Sequence, residues 1–113
     1  MHELALAKGV VDILCEEAAR NEVSRVQQVL LRIGVLRAVV PELLRTGMEY
    51  ASDGTMAQGV EVEIEEVPGR ARCPDCGREY EITELLFLCP GCERVGGEIL
   101  AGQELQIVEF EGE

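Results

Sequence analysis

Cys73-Pro74-Asp75-Cys76 and Cys89-Pro90-Gly91-Cys92 are two matched Cys-x-x-Cys knuckles with twelve residues between them. Four thiolates at this spacing close a tetrahedron around one Zn²⁺, each knuckle supplying two adjacent corners. A shell completed by four protein ligands leaves no open position for a reacting molecule, so the quartet reads as a structural zinc site. A Cys-x-x-Cys redox pair is the main rival, although such motifs usually stand alone near a βαβ unit. Two disulfides are the weaker reading, because nothing marks the chain as secreted. Iron held by four thiolates also satisfies the spacing.

The stretch that carries the knuckles, residues 70–103, is too short for a full hydrophobic core. Metal must therefore supply much of its folding free energy. Within 113 residues this leaves a conventional lobe over residues 1–69, completed by a C-terminal strand at about 104–111, and a zinc-binding lobe over 70–103. The expected class is α+β: a small sheet with two helices, plus a zinc-ribbon-like lobe inserted before the last strand. Apolar residues make up 47% of the chain, which argues against disorder, and the absence of Trp leaves a mostly aliphatic core.

Charge narrows the partners. Acidic residues outnumber basic ones by 22 to 10, for a formal charge of −12, and no Lys/Arg run occurs. Ribbons that bind nucleic acid present a basic face, so no nucleic-acid partner is expected. Arg70, Arg72, Arg78 and Arg94 cluster around the knuckles, where they offset the negative charge of a four-thiolate zinc centre. No apolar run approaches the roughly 18 residues of a membrane span, and no basic segment precedes an apolar one at the N-terminus. The expected compartment is the cytoplasm, with no membrane partner. Cys15, beside Leu14 in a helical pattern, reads as core packing.

Residues 3–21 repeat apolar positions at helical spacing: Leu6, Val10 and Ile13, with Leu4, Val11, Leu14 and Ala18. Val26 to Ile33 reads as a strand ending at Gly34, and apolar groups on both alternating faces place it centrally in a small sheet. Pro41 opens a second helix running to about Ala51, with Leu43, Leu44, Met48 and Ala51 as its buried stripe. Val60 to Glu65 alternates strictly, so Glu61, Glu63 and Glu65 form a solvated row. Pro68-Gly69 leads into the zinc lobe, Gly96-Gly97 and Gly102 mark a loop-rich return, and Leu105 to Phe110 reads as a last strand pairing with the earlier ones.

The chain holds one histidine, at position 2. Taken alone, a terminal His is usually a solvated, mobile side chain. Its position nonetheless permits a specific chelate, made by an unblocked Met1 amine, the His2 amide nitrogen and His2 Nδ1. The amine–amide pair closes a five-membered ring and the amide–imidazole pair a six-membered one. A deprotonated amide favours ions that accept square-planar nitrogen donors, Ni²⁺ and Cu²⁺. Three donors leave a fourth position for Glu3, another backbone atom or a partner's group. Such a site is exposed and incomplete, hence able to release its ion.

The start Met1-His2-Glu3-Leu4, Arg32-Ile33-Gly34 followed by Pro41-Glu42, Gly54-Thr55 before an acidic strand, Arg72-Cys73-Pro74-Asp75-Cys76-Gly77, Cys89-Pro90-Gly91-Cys92 and Gly102-Gln103-Glu104-Leu105 together resemble the HypA/HybF family. These are the nickel-insertion accessory proteins of NiFe-hydrogenase maturation. The resemblance covers essentially the whole chain in order. It implies a two-lobe metallochaperone with transferable Ni(II) at His2, Met1 and Glu3 as supporting positions, and structural Zn(II) on Cys73, Cys76, Cys89 and Cys92. It implies as partners a HypB-like nickel-binding maturation GTPase, the hydrogenase large-subunit precursor and, for some members, urease accessory proteins. The zinc lobe lacks the extra histidines many relatives carry near the knuckles, so no nickel donor is assigned there.

Two other classes compete. A zinc-ribbon adaptor that binds a protein and carries no transferable metal shares the quartet. An enzyme finds little support: the sequence holds no Ser/His/Asp set, no phosphate-binding Gly loop and no three-ligand metal site with a carboxylate base.

Overall fold

The computed structural model describes residues 2–83 and 87–113, with His2 described by its backbone alone. Met1 and the His2 side chain, both expected nickel positions, lie outside the described residues. The element order is α1 (His2–Arg20), β1 (Val26–Gly34), a 3-10 turn (Val35–Arg37), α2 (Pro41–Ser52), β2 (Glu61–Val67), β3 (Gly69–Arg72), β4 (Glu79–Ile82), β5 (Glu98–Ala101) and β6 (Leu105–Gly112). The strands make two three-stranded sheets, ordered β2-β1-β6 and β4-β3-β5. Two helices with small sheets make the fold α+β, as the sequence predicts. The chain divides into two compact units, one of Met1–Arg32, Val39–Glu65 and Gln106–Glu113, the other of Ile33–Ala38 and Glu66–Leu105.

In the first unit β1 is the central strand, as its two apolar faces require. Gln28 pairs with Glu61 and Arg32 with Glu65, both separated by 33 positions, so β2 runs parallel to β1. Parallel neighbours need a crossover, and α2 supplies it. On its other side β1 meets β6, with Arg25 and Glu113 exchanging both backbone bonds at 3.0 Å. Glu61, Glu63 and Glu65 are exposed, while Val62 and Ile64 between them are half-buried.

Helix α1 buries Ala7, Val10, Val11, Leu14 and Ala18. Its end is closed by Glu22 in the left-handed region at φ 60°. Val23 N–H then reaches Ala18 O at 2.9 Å and Glu22 N–H reaches Ala19 O at 3.2 Å, the two bonds that satisfy a helix's last carbonyls. Helix α2 starts at Pro41, whose missing N–H costs nothing there. Gly47 lets the two helices approach: a Cβ on it would lie 3.1 Å from Ala7 Cβ and 3.2 Å from the Glu3 carbonyl.

Four side chains depart from the sequence reading, and one of them is Leu4, 39% exposed on α1. Leu43, expected in the buried stripe of α2, is 45% exposed, and Gly47 takes its place beside Leu44 and Met48. Ile13 is 54% exposed on the outer flank of α1. Cys15 is half-buried there, not a core residue. In each case the helix presents a narrower apolar face than its apolar content suggests.

In the second unit, expected as a zinc-ribbon-like lobe with a loop-rich return, three short strands form a sheet, and β5 (Glu98–Ala101) lies within that return. β3 is central in its sheet, antiparallel to β4 with Gly69 opposite Ile82 and Arg72 opposite Glu79, and antiparallel to β5 with a register shift between Arg70 and Ala71. Its core is small: Ala71, Cys73, Tyr80, Ile82 and Cys89 are buried, with Leu36 and Phe87 packed against them. Gly102, at φ 112°, lets the backbone cross here, since a Cβ would lie 2.7 Å from Gly69 Cα. Leu36 N–H bonds Gly102 O at 2.8 Å across the same crossing.

Candidate metal centre

The first knuckle is the turn of the β3–β4 hairpin, and the second follows the same backbone design. Cys73 N–H bonds Arg78 O at 2.9 Å and Gly77 N–H returns to Cys73 O at 2.8 Å. Cys89 N–H bonds Arg94 O at 3.0 Å and Glu93 N–H returns to Cys89 O at 2.9 Å. The residue after each second cysteine takes a positive φ, 76° at Gly77 and 62° at Glu93. The conformation therefore belongs to the knuckle, and Glu93 adopts it without glycine's freedom.

These turns bring four sulfurs together. Cys73 Sγ lies 3.4 Å from Cys92 Sγ and Cys76 Sγ lies 3.5 Å from Cys89 Sγ. All four ligand atoms fall within 4.8 Å of one another. Zinc–sulfur bonds of 2.3 Å in a tetrahedron put the sulfurs about 3.8 Å apart, inside this range. The donor set fits a thiophilic tetrahedral ion. Cys73 and Cys89 are fully buried and Cys76 and Cys92 exposed, so the first cysteine of each knuckle doubles as a core residue.

Four thiolates this close repel, and the metal-free site divides its protons unevenly. Backbone N–H groups of Cys92 and Gly91 aim at Cys89 and outweigh its burial, lowering its pKa to about 6. The N–H groups of Cys76 and Asp75 lower Cys73 in the same way. At Cys92 the Arg94 N–H favours the thiolate, yet the bond from Cys73, burial and Cys89 together push it up to about 12. Cys76 is raised as well: the Arg78 N–H favours its thiolate but is outweighed by Cys89, burial and Cys73. Burial and then the neighbouring sulfurs raise Tyr80, whose hydroxyl donates to Gly96 O at 3.3 Å.

Of the four arginines read from sequence as charge compensation, Arg78 and Arg94 lie at the knuckles. Arg94 Nη1 bonds Asp75 Oδ1 at 2.9 Å, and that bond and charge raise the Arg94 pKa. Arg72 reaches Glu79 across the β3–β4 pair at 3.8 Å. Among the described residues the four cysteines are the one group of three or more His, Cys, Asp or Glu side chains able to hold an ion together.

Of the N-terminal positions, His2 is the first residue of α1 and Glu3 lies in its first turn. Glu3 Oε2 accepts the Val40 N–H at 3.3 Å, giving α2 the cap its own Val40 side chain cannot provide. Sequence reading missed this tie, since nothing in the separation of residues 3 and 40 marks it. No helix among the described residues is long and apolar enough to cross a membrane.

Comparison with known proteins bears on the whole chain. Residues 1–112 match the family model described as hydrogenase/urease nickel incorporation, metallochaperone, HypA. A hydrogenase maturation factor HypA of Chloroflexus aurantiacus is 45% identical over 112 residues, covering 98% of each chain. Another from Azotobacter chroococcum is 40% identical over the full length of both. The solution structure of the Ni metallochaperone HypA from Helicobacter pylori has the same fold, with a TM-score of 0.70 at 18% identity over 97% of this chain and 96% of that one.

Proposed function

The chain belongs to the HypA metallochaperone family of hydrogenase and urease nickel incorporation, and from that premise we propose that it carries Ni²⁺ on its first residues and delivers it to the large-subunit precursor of a NiFe-hydrogenase. The observation that carries this reading is the full-length match, which brings His2 at the helix start and the sulfur quartet into one chain. A HypB-like GTPase is the proposed partner in loading, urease accessory proteins are further recipients, and the cytoplasm is the compartment. The chain itself is not an enzyme; nucleotide hydrolysis belongs to the partner.

Local chemistry supports the division of roles. Nickel, the cargo, is taken by the Met1 amine, the His2 amide nitrogen and His2 Nδ1. Helix α1 starts at His2, so this amide is among the first N–H groups with no acceptor within the helix. Deprotonating it for a metal breaks no helical bond. Glu3 supports the site by tying the first turn to Val40. Zn²⁺ is proposed on Cys73, Cys76, Cys89 and Cys92, where four bound sulfurs leave no vacant position and favour retention.

Metal quantification and nickel calorimetry on untagged protein beside His2→Ala test the reading. The variant is expected to keep its zinc and helicity and to lose specific Ni²⁺ binding. Unchanged nickel affinity would remove nickel carriage by His2, and one tight zinc with no nickel in the parent protein would favour the adaptor.

A further inference from the structure

The two knuckles are joined by more than their sulfurs. Counting from the first cysteine of each, the third residue is Asp75 or Gly91 and the sixth is Arg78 or Arg94. The main-chain carbonyl of each arginine accepts the N–H of its own knuckle's first cysteine. Its side chain goes the other way. Arg94 bonds Asp75 of the first knuckle at 2.9 Å. Arg78 lies on Gly91 of the second, so closely that a Cβ there would sit 3.1 Å from Nε and 3.4 Å from Cζ. The short sulfur pairs, Cys73 with Cys92 and Cys76 with Cys89, cross in the same sense.

A tetrahedral ion shared by two knuckles is released when one knuckle swings away with its two sulfurs. Each arginine spans the gap that this motion opens. One strap is an ion pair and the other is a planar guanidinium resting on a residue with no side chain. Gly91 thus gives clearance to the Arg78 side chain and has no positive φ to explain it, and its counterpart Asp75 carries the carboxylate that Gly91 lacks.

We propose that Arg94 with Asp75, and Arg78 with Gly91, are crossed straps that hold the two halves of the sulfur quartet together and set the rate at which zinc leaves it. The inference rests on zinc being the ion of the quartet. Arg94 and Asp75 are 48% and 58% exposed, so their strap is screened by solvent. Pairs of this kind are worth about a two- to five-fold change in an equilibrium or rate.

Zinc transfer from the full-length protein to a chromophoric chelator reads the rate directly. Metal content is measured first: a parent protein that holds no zinc overturns the zinc reading before any rate is taken, and the straps with it. In zinc-loaded protein, Asp75→Asn and Arg94→Gln are expected to speed transfer by about two- to five-fold at low salt, with the double variant no faster than either. The exchange Asp75→Arg with Arg94→Asp restores the slow rate, and 1 M salt shrinks the difference from the parent. Gly91→Ala, which must displace Arg78, speeds transfer in the same direction. Parent-like rates in all variants overturn the straps while leaving the zinc site intact. Acceleration that ignores salt and is not restored by the exchange also overturns them, because the residues then act only through folding.

Discussion

Removing zinc should unfold the second unit and spare the first. Among the described residues of its core cluster, the large buried apolar side chains that are not sulfur ligands are Tyr80 and Ile82. Burial of each contributes about 1.5–3 kcal/mol. Structural zinc in small metal-folded units contributes about 10–16 kcal/mol at neutral pH. Two of the five buried positions in the cluster, Cys73 and Cys89, are themselves ligands, so losing the ion also leaves mutually repelling sulfurs inside. The metal contribution exceeds that of these two side chains together. Both helices belong to the first unit and persist, so far-ultraviolet circular dichroism at the helix band changes little on chelation. The near-ultraviolet tyrosine signal collapses, because Tyr50 is 77% exposed in the parent and Tyr80 only 7%, and the chain has no Trp. Retention of that signal, with the Ala71 and Ile82 amides still protected from exchange after verified metal loss, would refute the reasoning.

Proton release gives the same prediction an independent readout. Thiols of an unfolded unit have pKa values near 8.5, so at pH 7 almost four protons leave as the ion enters. A metal-free quartet that stayed folded would behave otherwise. Cys89 at about 6 would already be ionised at pH 7, whereas Cys92 at about 12 would keep its proton until metal arrived. The sign follows: the lowered Cys89 contributes stability to such a state at high pH, lost as pH falls through about 6. The raised Cys92 contributes at low pH, lost as pH rises from its ordinary value toward about 12. Calorimetry in buffers of different ionisation enthalpy counts the protons. A count near four at pH 7 is expected, and a count of about three or fewer would mean a preformed quartet.

Two substitutions test the local reading. Glu93→Gly relieves the positive φ of the second knuckle and is expected to stabilise the zinc-loaded protein by about 0.5–1 kcal/mol, seen as a higher Tm; a lower Tm would show that the Glu93 side chain matters more than its backbone. Leu44→Ala should cost about 2–5 kcal/mol in urea denaturation, while Leu43→Ala one residue away should cost under about 1 kcal/mol; equal losses would contradict the burial of α2.

The long elements were legible because their periodicity is repeated. The pattern Val10, Val11, Leu14, Ala18 marks α1, Pro41 marks the start of α2, and the glutamate alternation marks β2. What failed was the width of each helix's apolar stripe. Leu43 and Ile13 fit an apolar face on paper, but Gly47 draws α1 against α2 and turns Leu43 outward. Gly47, which the sequence reading did not single out, leaves room for Ala7 and the Glu3 carbonyl of α1. The strands β3 and β4 were missed for a different reason. Gly-Arg-Ala-Arg and Glu-Tyr-Glu-Ile do alternate, with Ala71, Tyr80 and Ile82 inward, yet four residues with one or two apolar groups give little hydrophobic signal. The signal that could have found them is their equal spacing on either side of the first knuckle, which makes Cys73 to Arg78 the turn of a hairpin.

The four-cysteine grouping was readable from spacing, whereas the tie between Glu3 and Val40 was not, because it depends on how the helices pack. That tie changes what Glu3 contributes to the proposed nickel site. A negatively charged group at the start of α2 is favoured by the unsatisfied N–H groups there, and the bond to Val40 uses this preference. The same bond fixes the first turn of α1 relative to α2, with Gly47 providing the clearance. The sulfurs of the proposed zinc site are set in knuckles closed by backbone bonds, at Arg78 and Gly77 and at Arg94 and Glu93. In the proposed function, these backbone restraints on the sulfur knuckles add to the donor chemistry that favours retention of zinc.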